Sequence, residues 1–181
     1  VMRSMLSQDG IINVMLKNAG WIQKSLPFFS NVAWARITVI VVNLWIGIPY
    51  TMMQVTGILQ NIPLELYEAA EVDGAGPVIR FFKITLPYML FVTTPYLITT
   101  FTANINNFNI VYLLTKGDPV LSGNTAGKTD LLVTWLYKMT VDYQYYNLGA
   151  VIGIMTFVFL AIGSLLVYRR TKSYKDEEGF Q

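Results

Sequence analysis

The chain has 181 residues, and its reactive inventory is small: eleven Asp and Glu, thirteen Lys and Arg, no His and no Cys. Without His it lacks the commonest general base and the commonest metal ligand. Without Cys it has no disulfide, no thiolate metal site and no cysteine nucleophile. No metal site and no cofactor are expected. Two polar groupings stand out. Glu65, Glu68 and Glu71 recur every third residue, a spacing that places carboxylates along one side of a helix, with Leu64, Tyr67 and Ala70 giving a partly apolar side. Asn104 and Asn107 lie three apart in an uncharged run and are expected on one helix face, either as donors and acceptors for hydroxyl groups or as hydrogen-bond partners between helices. Tyr50, just after Pro49, offers an aromatic face and a hydroxyl. A third grouping, Ser122 to Thr129, nearly spells a phosphate-binding loop. Ser122 stands where Gly is needed and no buried strand precedes it, so that reading is rejected.

The elements that must hold these residues are set by an uneven charge distribution. Hydrophobic residues make up 54% and charged residues only 13%, about half the charge of an ordinary soluble domain. No charged residue occurs from Ile37 to Leu64, from Ile84 to Thr115, or from Tyr143 to Tyr168. Each gap exceeds the ~20 apolar residues that a helix needs to cross a hydrocarbon core. An ordinary soluble domain is excluded, and a net charge of +2 gives no nucleic-acid surface. The expected class is all-α, a polytopic membrane helical bundle.

The organisation read from the sequence is one partial transmembrane domain. Residues 1–34 are extracytoplasmic or interfacial, with a short helix ended by Gly20 and interfacial aromatics Trp21, Phe28, Phe29 and Trp34. Residues 35–59 are a span broken near Gly47 and Pro49. Residues 60–83 are a cytoplasmic connector in which Gly74-Ala-Gly-Pro77 breaks one helix and starts another. Residues 84–114 are the second span, 115–146 a polar extracytoplasmic loop and 147–168 the third span. Gly149 and Gly153 in this last span form a small-residue pair read as packing. The basic residues Arg169, Arg170, Lys172 and Lys175 place the tail, 169–181, in the cytoplasm. The chain opens on Val1 with no signal-peptide pattern, and upstream helices are expected to be missing.

The connector carries a recognisable pattern. Glu68-Ala69-Ala70, then Gly74, Ile84 and Leu86-Pro87, resembles the EAA loop of the permease subunits of ABC importers. Ile62-Pro63 and Phe82-Lys-Ile-Thr-Leu-Pro87 fit on its flanks. The resemblance covers most of the chain and is strongest to the larger membrane subunit of maltose/maltodextrin-type, carbohydrate-uptake importers. Gly10-Ile-Ile-Asn13, Trp45, Pro49, Gly57, Phe108 and Leu113-Leu-Thr115 sit where that branch has similar residues. Lys116-Gly-Asp-Pro119 and Ala103 depart from it, the first where Gly-Gly-Pro and the second where an aromatic is usual.

What the resemblance implies can be stated as expectations. The fold is the inner-membrane-component (MetI-like) permease fold. The chain translocates an oligosaccharide, maltodextrin-like, and hydrolyses nothing itself. Glu68, Ala69, Ala70, Gly74, Ile84, Leu86 and Pro87 dock on an ABC ATPase subunit dimer. Gly47, Tyr50, Thr100, Asn104 and Asn107 contact the sugar. The other partners are a second permease subunit, an extracytoplasmic sugar-binding protein and membrane lipid, in the cytoplasmic (inner) membrane. An ABC permease for another solute, or a membrane scaffold without transport, are the rival readings.

Overall fold

A computed structural model describes residues 1–169; the tail positions Arg170, Lys172 and Lys175, and any orientation read from them, lie outside the described residues. Among the described residues every regular element is helical. In chain order these are α1 (Met2–Met5), α2 (Ile11–Asn18), α3 (Val32–Leu59), α4 (Leu64–Val72) and α5 (Pro77–Arg80). A wide π-helical turn (Phe81–Thr85) leads into α6 (Leu86–Ile105). Then come α7 (Phe108–Leu114), α8 (Leu132–Tyr137), a second π turn (Lys138–Asp142) and α9 (Tyr146–Arg169). Three helical stretches, Val32–Leu59, Pro77–Leu114 and Tyr146–Arg169, are long and apolar enough to cross a membrane. Their side chains face outward in a way water would not tolerate: Trp45 is 71% and Phe157 72% exposed. Lipid or neighbouring helices must cover them.

The chain divides into two compact units. The first combines residues 1–45 with 104–159, the second 46–103 with 160 onward.

In the first unit, Asn31 starts α3: its Oδ1 accepts from the amides of Ala33 (2.9 Å) and Trp34 (3.3 Å), two donors that the helix itself cannot satisfy. Gly20, at φ +73, lies just beyond the end of α2 as expected. Asn13 of α2 is only 1% exposed. Its Nδ2 lies within hydrogen-bond range of the carbonyls of Ser7, Gln8 and Leu26, and its Oδ1 accepts from Leu26 N–H at 2.8 Å. One buried amide thus ties the segments on either side of α2 together.

The stretch expected as a plain polar loop contains α8 and the second π turn. Its upstream Gly, Pro and Asp residues signal turns correctly, but only six residues form α8, too few for a clear helical period. Gly149 and Gly153 of α9 receive this segment. A side chain at Gly149 would meet the Thr140 hydroxyl, and one at Gly153 would come within 3.2 Å of Leu136 Cδ1. The small-residue pair therefore admits α8 and the turn after it.

In the second unit, Pro49 lies inside α3 without ending it. Hydroxyl groups link helices here, where apolar surroundings make an unpaired polar group costly. Thr102 and Ser164 hydroxyls lie 3.0 Å apart, and Thr51 and Tyr96 hydroxyls 3.4 Å apart. The threonines of α6 return their hydroxyls to the preceding turn, as Thr93 does to Met89 O at 2.6 Å.

Candidate functional site

The connector lies wholly in the second unit. Pro63 precedes α4, and Glu65 sits in its first turn, where a carboxylate meets the positive end of the helix dipole. The helix ends at Gly74, at φ +76. Gly74 N–H donates to Glu71 O at 3.0 Å and Ala75 N–H to Ala70 O at 2.8 Å. This is a Schellman ending, whose left-handed position strongly favours Gly. Gly76 then adopts an extended conformation and Pro77 opens α5, a position where a missing amide N–H costs nothing.

From α5 the chain widens into the π turn Phe81–Thr85, closed by Leu86 N–H on Phe81 O. Pro87 follows at once and gives the physical reason. A proline here has no amide to donate and its ring crowds the previous turn, and a widened turn relieves both. Tyr67 of α4 reaches back to this turn, its hydroxyl 2.8 Å from that of Thr85. Glu71 pairs with Arg80 at 3.1 Å. The Glu71 side chain is 71% exposed, so the pair contributes at most about 1 kcal/mol.

The fold thus brings α4, the α5 turn and the start of α6 into one hairpin. Glu68 and Ala69 are exposed on it, Ala70, Ile84 and Leu86 half-buried, Gly74 and Pro87 exposed. Among the described residues neither Glu65 nor Glu68 enters an ion pair. Beside them Leu64 is 68%, Val72 88% and Val78 67% exposed. The hairpin offers two uncommitted carboxylates next to apolar surface. That is a docking chemistry: apolar contact at the centre and charge complementarity at the rim.

The second grouping differs from expectation. Asn104 and Asn107 do not share one helix face. Helix α6 ends at Ile105, and Asn107, at φ −79 and ψ 81, caps α7 by accepting from Ile110 N–H at 3.3 Å. Asn is among the best residues for that position, and the cap competes with continuing the helix. The two asparagines nevertheless meet through a third. Asn43 Nδ2 donates to Asn104 Oδ1 at 2.8 Å, and Asn107 Nδ2 donates to Asn43 Oδ1 at 3.1 Å. Asn43 was not singled out from the sequence, although it is a side-chain amide within an uncharged apolar run, a signal that could have flagged it. All three belong to the first unit. An amide has two donors and two acceptor lone pairs, so such a cluster can exchange hydrogen bonds with hydroxyl-rich ligands.

Gly47, Tyr50 and Thr100 belong to the second unit. Nothing lies within 4 Å of where a side chain at Gly47 would start, Tyr50 is 55% exposed and Thr100 is half-buried. The segment Ser122–Thr129 runs as turns. Its Thr129 hydroxyl is held by the Asp118 carbonyl (2.7 Å) and the Thr115 hydroxyl (2.8 Å), unlike a phosphate cradle. Among the described residues no group of His, Cys, Asp and Glu is placed to hold a metal ion.

Three known proteins similar to this chain are transport system permease proteins. The galactooligosaccharides transport system permease protein GanP of Bacillus subtilis is 44% identical over 152 residues, 84% of this chain and 36% of that protein. The maltodextrin transport system permease protein MdxF of the same organism is 43% identical over 147 residues, 80% of this chain and 34% of that protein. The maltose/maltodextrin transport system permease protein MalF of Klebsiella aerogenes is 43% identical over 163 residues, 87% of this chain and 31% of that protein. The chain spans about a third of the length of these curated relatives.

In fold it resembles the crystal structure of a bacterial ABC transporter involved in import of the acidic polysaccharide alginate. The TM-score is 0.76 at 23% identity, over 93% of this chain and 57% of that one. The pattern of the family described as "binding-protein-dependent transport system inner membrane component" matches residues 10–173, nearly the whole sequence. With the EAA segment folded as an exposed hairpin between two apolar helices, this chain belongs to the binding-protein-dependent transport system inner membrane component family.

Proposed function

We propose that the chain is the coupling part of a permease subunit in an ATP-driven importer of a neutral oligosaccharide of the maltodextrin or galactooligosaccharide kind. The observation that carries the reading is the α4–Gly74–α5 hairpin. It is stiffened by its Schellman ending and by the Tyr67–Thr85 contact, and it leaves Glu65, Glu68 and apolar side chains uncommitted. A subunit without a phosphate-binding loop needs work delivered from a neighbour. A short braced helix held in a partner's groove can deliver it as a rigid-body push, and rocking of paired permease halves then gives alternating access. On this reading Glu68, Ala69, Ala70, Gly74, Ile84, Leu86 and Pro87 face an ATPase subunit dimer. A second permease pairs with this one, and a sugar-binding protein delivers the substrate from outside.

The same reading puts the hairpin and the C-terminal tail in the cytoplasm and residues 1–34 and 115–146 outside. Asn104 and Asn107 contact sugar hydroxyls, joined by Asn43 on the strength of its hydrogen bonds to both. Gly47, Tyr50 and Thr100 are proposed as sugar contacts from the second unit. A neutral solute fits the absence of charge from Ile37 to Leu64, Ile84 to Thr115 and Tyr143 to Tyr168, since an anion in an apolar setting calls for a countercharge.

The deciding experiment expresses the complete transport system and follows radiolabelled maltodextrin, galactooligosaccharide, an acidic oligosaccharide and an amino acid. ATP-dependent accumulation of a neutral oligosaccharide supports the proposal. Accumulation of the amino acid or the acidic sugar alone defeats the substrate assignment, and so does accumulation of none by an assembled complex.

A further inference from the structure

A buried, hydrogen-bonded ion pair of the first unit lies far in sequence from Asn43, in the stretch that reads as a loop. Asp130 is 3% and Lys138 11% exposed in their side chains, and Nζ lies 2.7 Å from Oδ2. The same Oδ2 accepts from Gly127 N–H at 2.7 Å, and Oδ1 accepts from the Thr134 hydroxyl at 2.9 Å. A buried ion pair is seldom a source of net stability, but with its hydrogen bonds filled it specifies one geometry.

That geometry is transmitted to α7. Gly117, at φ +87, packs so tightly on Asp130 and Lys138 that any side chain there would collide with both. Gly117 N–H donates to Thr115 Oγ1 at 3.1 Å, and Thr115, fully buried at the end of α7, bonds back to Val111 O at 3.0 Å. At the other end of α7, Tyr137, next to Lys138, packs its ring 5.0 Å from Phe108 and 4.9 Å from Tyr112. Phe108 immediately follows Asn107. Helix α8, with Asp130 before it and Lys138 after it, therefore holds the seven residues of α7 at both ends.

We infer that Asp130 and Lys138 are positioning residues: they clamp α8 onto α7 and so set the approach of the Asn107 cap to Asn43. The relevance of this clamp to sugar contact rests on the proposed function; the placement itself does not. It predicts that loosening the pair moves Asn107 without touching it.

The chain has no cysteine, so Asn43→Cys with Asn107→Cys introduces the only pair within these residues. In the full-length protein in its membrane, oxidative cross-linking of this pair is compared with and without Lys138→Met. The expected result is a loss of cross-linking rate of about tenfold, within the range typical of coupling between sites, with Lys138→Arg restoring most of it. If Lys138→Met fails to accumulate because Asp130 is left buried and unpaired, Asp130→Asn with Lys138→Met removes both charges and is expected to give the same loss. An unchanged rate in a variant that reaches the membrane overturns the inference, and so does failure of Lys138→Arg to restore it. The oligosaccharide KM is then measured in the assembled importer carrying the native asparagines. A raised KM at unchanged maximal rate supports a link from the clamp to binding. Lost cross-linking with an unchanged KM leaves the clamp standing and counts against the sugar role of the asparagines.

Discussion

Gly74 is the position where backbone geometry and coupling can be separated most cleanly. Its φ of +76 lies in the left-handed region, and nothing stands within 4 Å of where a Cβ would be placed. A substitution there meets no steric obstacle, so its effect is backbone strain alone. For an ordinary L-residue that strain is roughly 1–2 kcal/mol, which shifts a local equilibrium about fivefold to thirtyfold. Asn tolerates the conformation better than Ala. Pro fixes φ near −65° and also removes the amide that donates to Glu71 O at 3.0 Å, so the turn cannot form, at a local cost of about 3 kcal/mol or more.

The expected order of ATP-driven uptake is therefore Gly, then Asn, then Ala, then Pro, with Gly74→Pro uncoupled. The amount of each variant in the membrane should stay nearly level, because Gly74 lies outside the three apolar stretches. The assay pairs uptake of labelled oligosaccharide with an immunoblot of the membrane fraction. Normal uptake by Gly74→Pro would refute the coupling role. An order with Ala above Asn would refute the backbone argument even if coupling survived.

The other predictions concern polar clusters and close packing. Asn104→Leu with Asn107→Leu should impair uptake while ATPase co-purification is retained, and Asn43→Leu should reproduce much of that loss because both partners bond through it. Equal uptake and specificity in these variants would remove the asparagines from the sugar path. Asn13→Leu strands the Leu26 amide in a buried site, at about 1–3 kcal/mol, and should lower the melting temperature in detergent with no change in the substrate preferred. Gly149→Val should reduce the protein recovered from membranes, since its side chain would strike the Thr140 hydroxyl. Overpacking of this kind costs about 1–3 kcal/mol, and unaltered recovery would show that the second π turn and α9 separate freely.

Local signals made much of this molecule legible. The uncharged runs announce three membrane-length helices because hydrocarbon thickness and helix rise alone set the length required. Gly20 and Gly74 announce helix ends because the left-handed turn is open to glycine at little cost. Glu68 to Pro87 could be placed on a hairpin because its turn residues, Gly74, Gly76 and Pro77, are themselves neighbours in the chain.

What the tertiary structure alone decided involves residues far apart in sequence. Asn107 could be seen in the sequence, but its role as a helix cap could not, because the choice between continuing α6 and starting α7 depends on what receives α7. Asn43 joins the asparagines across sixty-one residues to Asn104 and sixty-four to Asn107. Helix α8 is too short to stand on its own propensity. It forms against Phe108 and Tyr112, with Asp130 and Lys138 satisfying each other out of water. Periodicity reports which residues turn away from solvent or toward lipid. Which polar group meets which is settled only when distant segments close on each other, because a buried polar group left without a partner is costly.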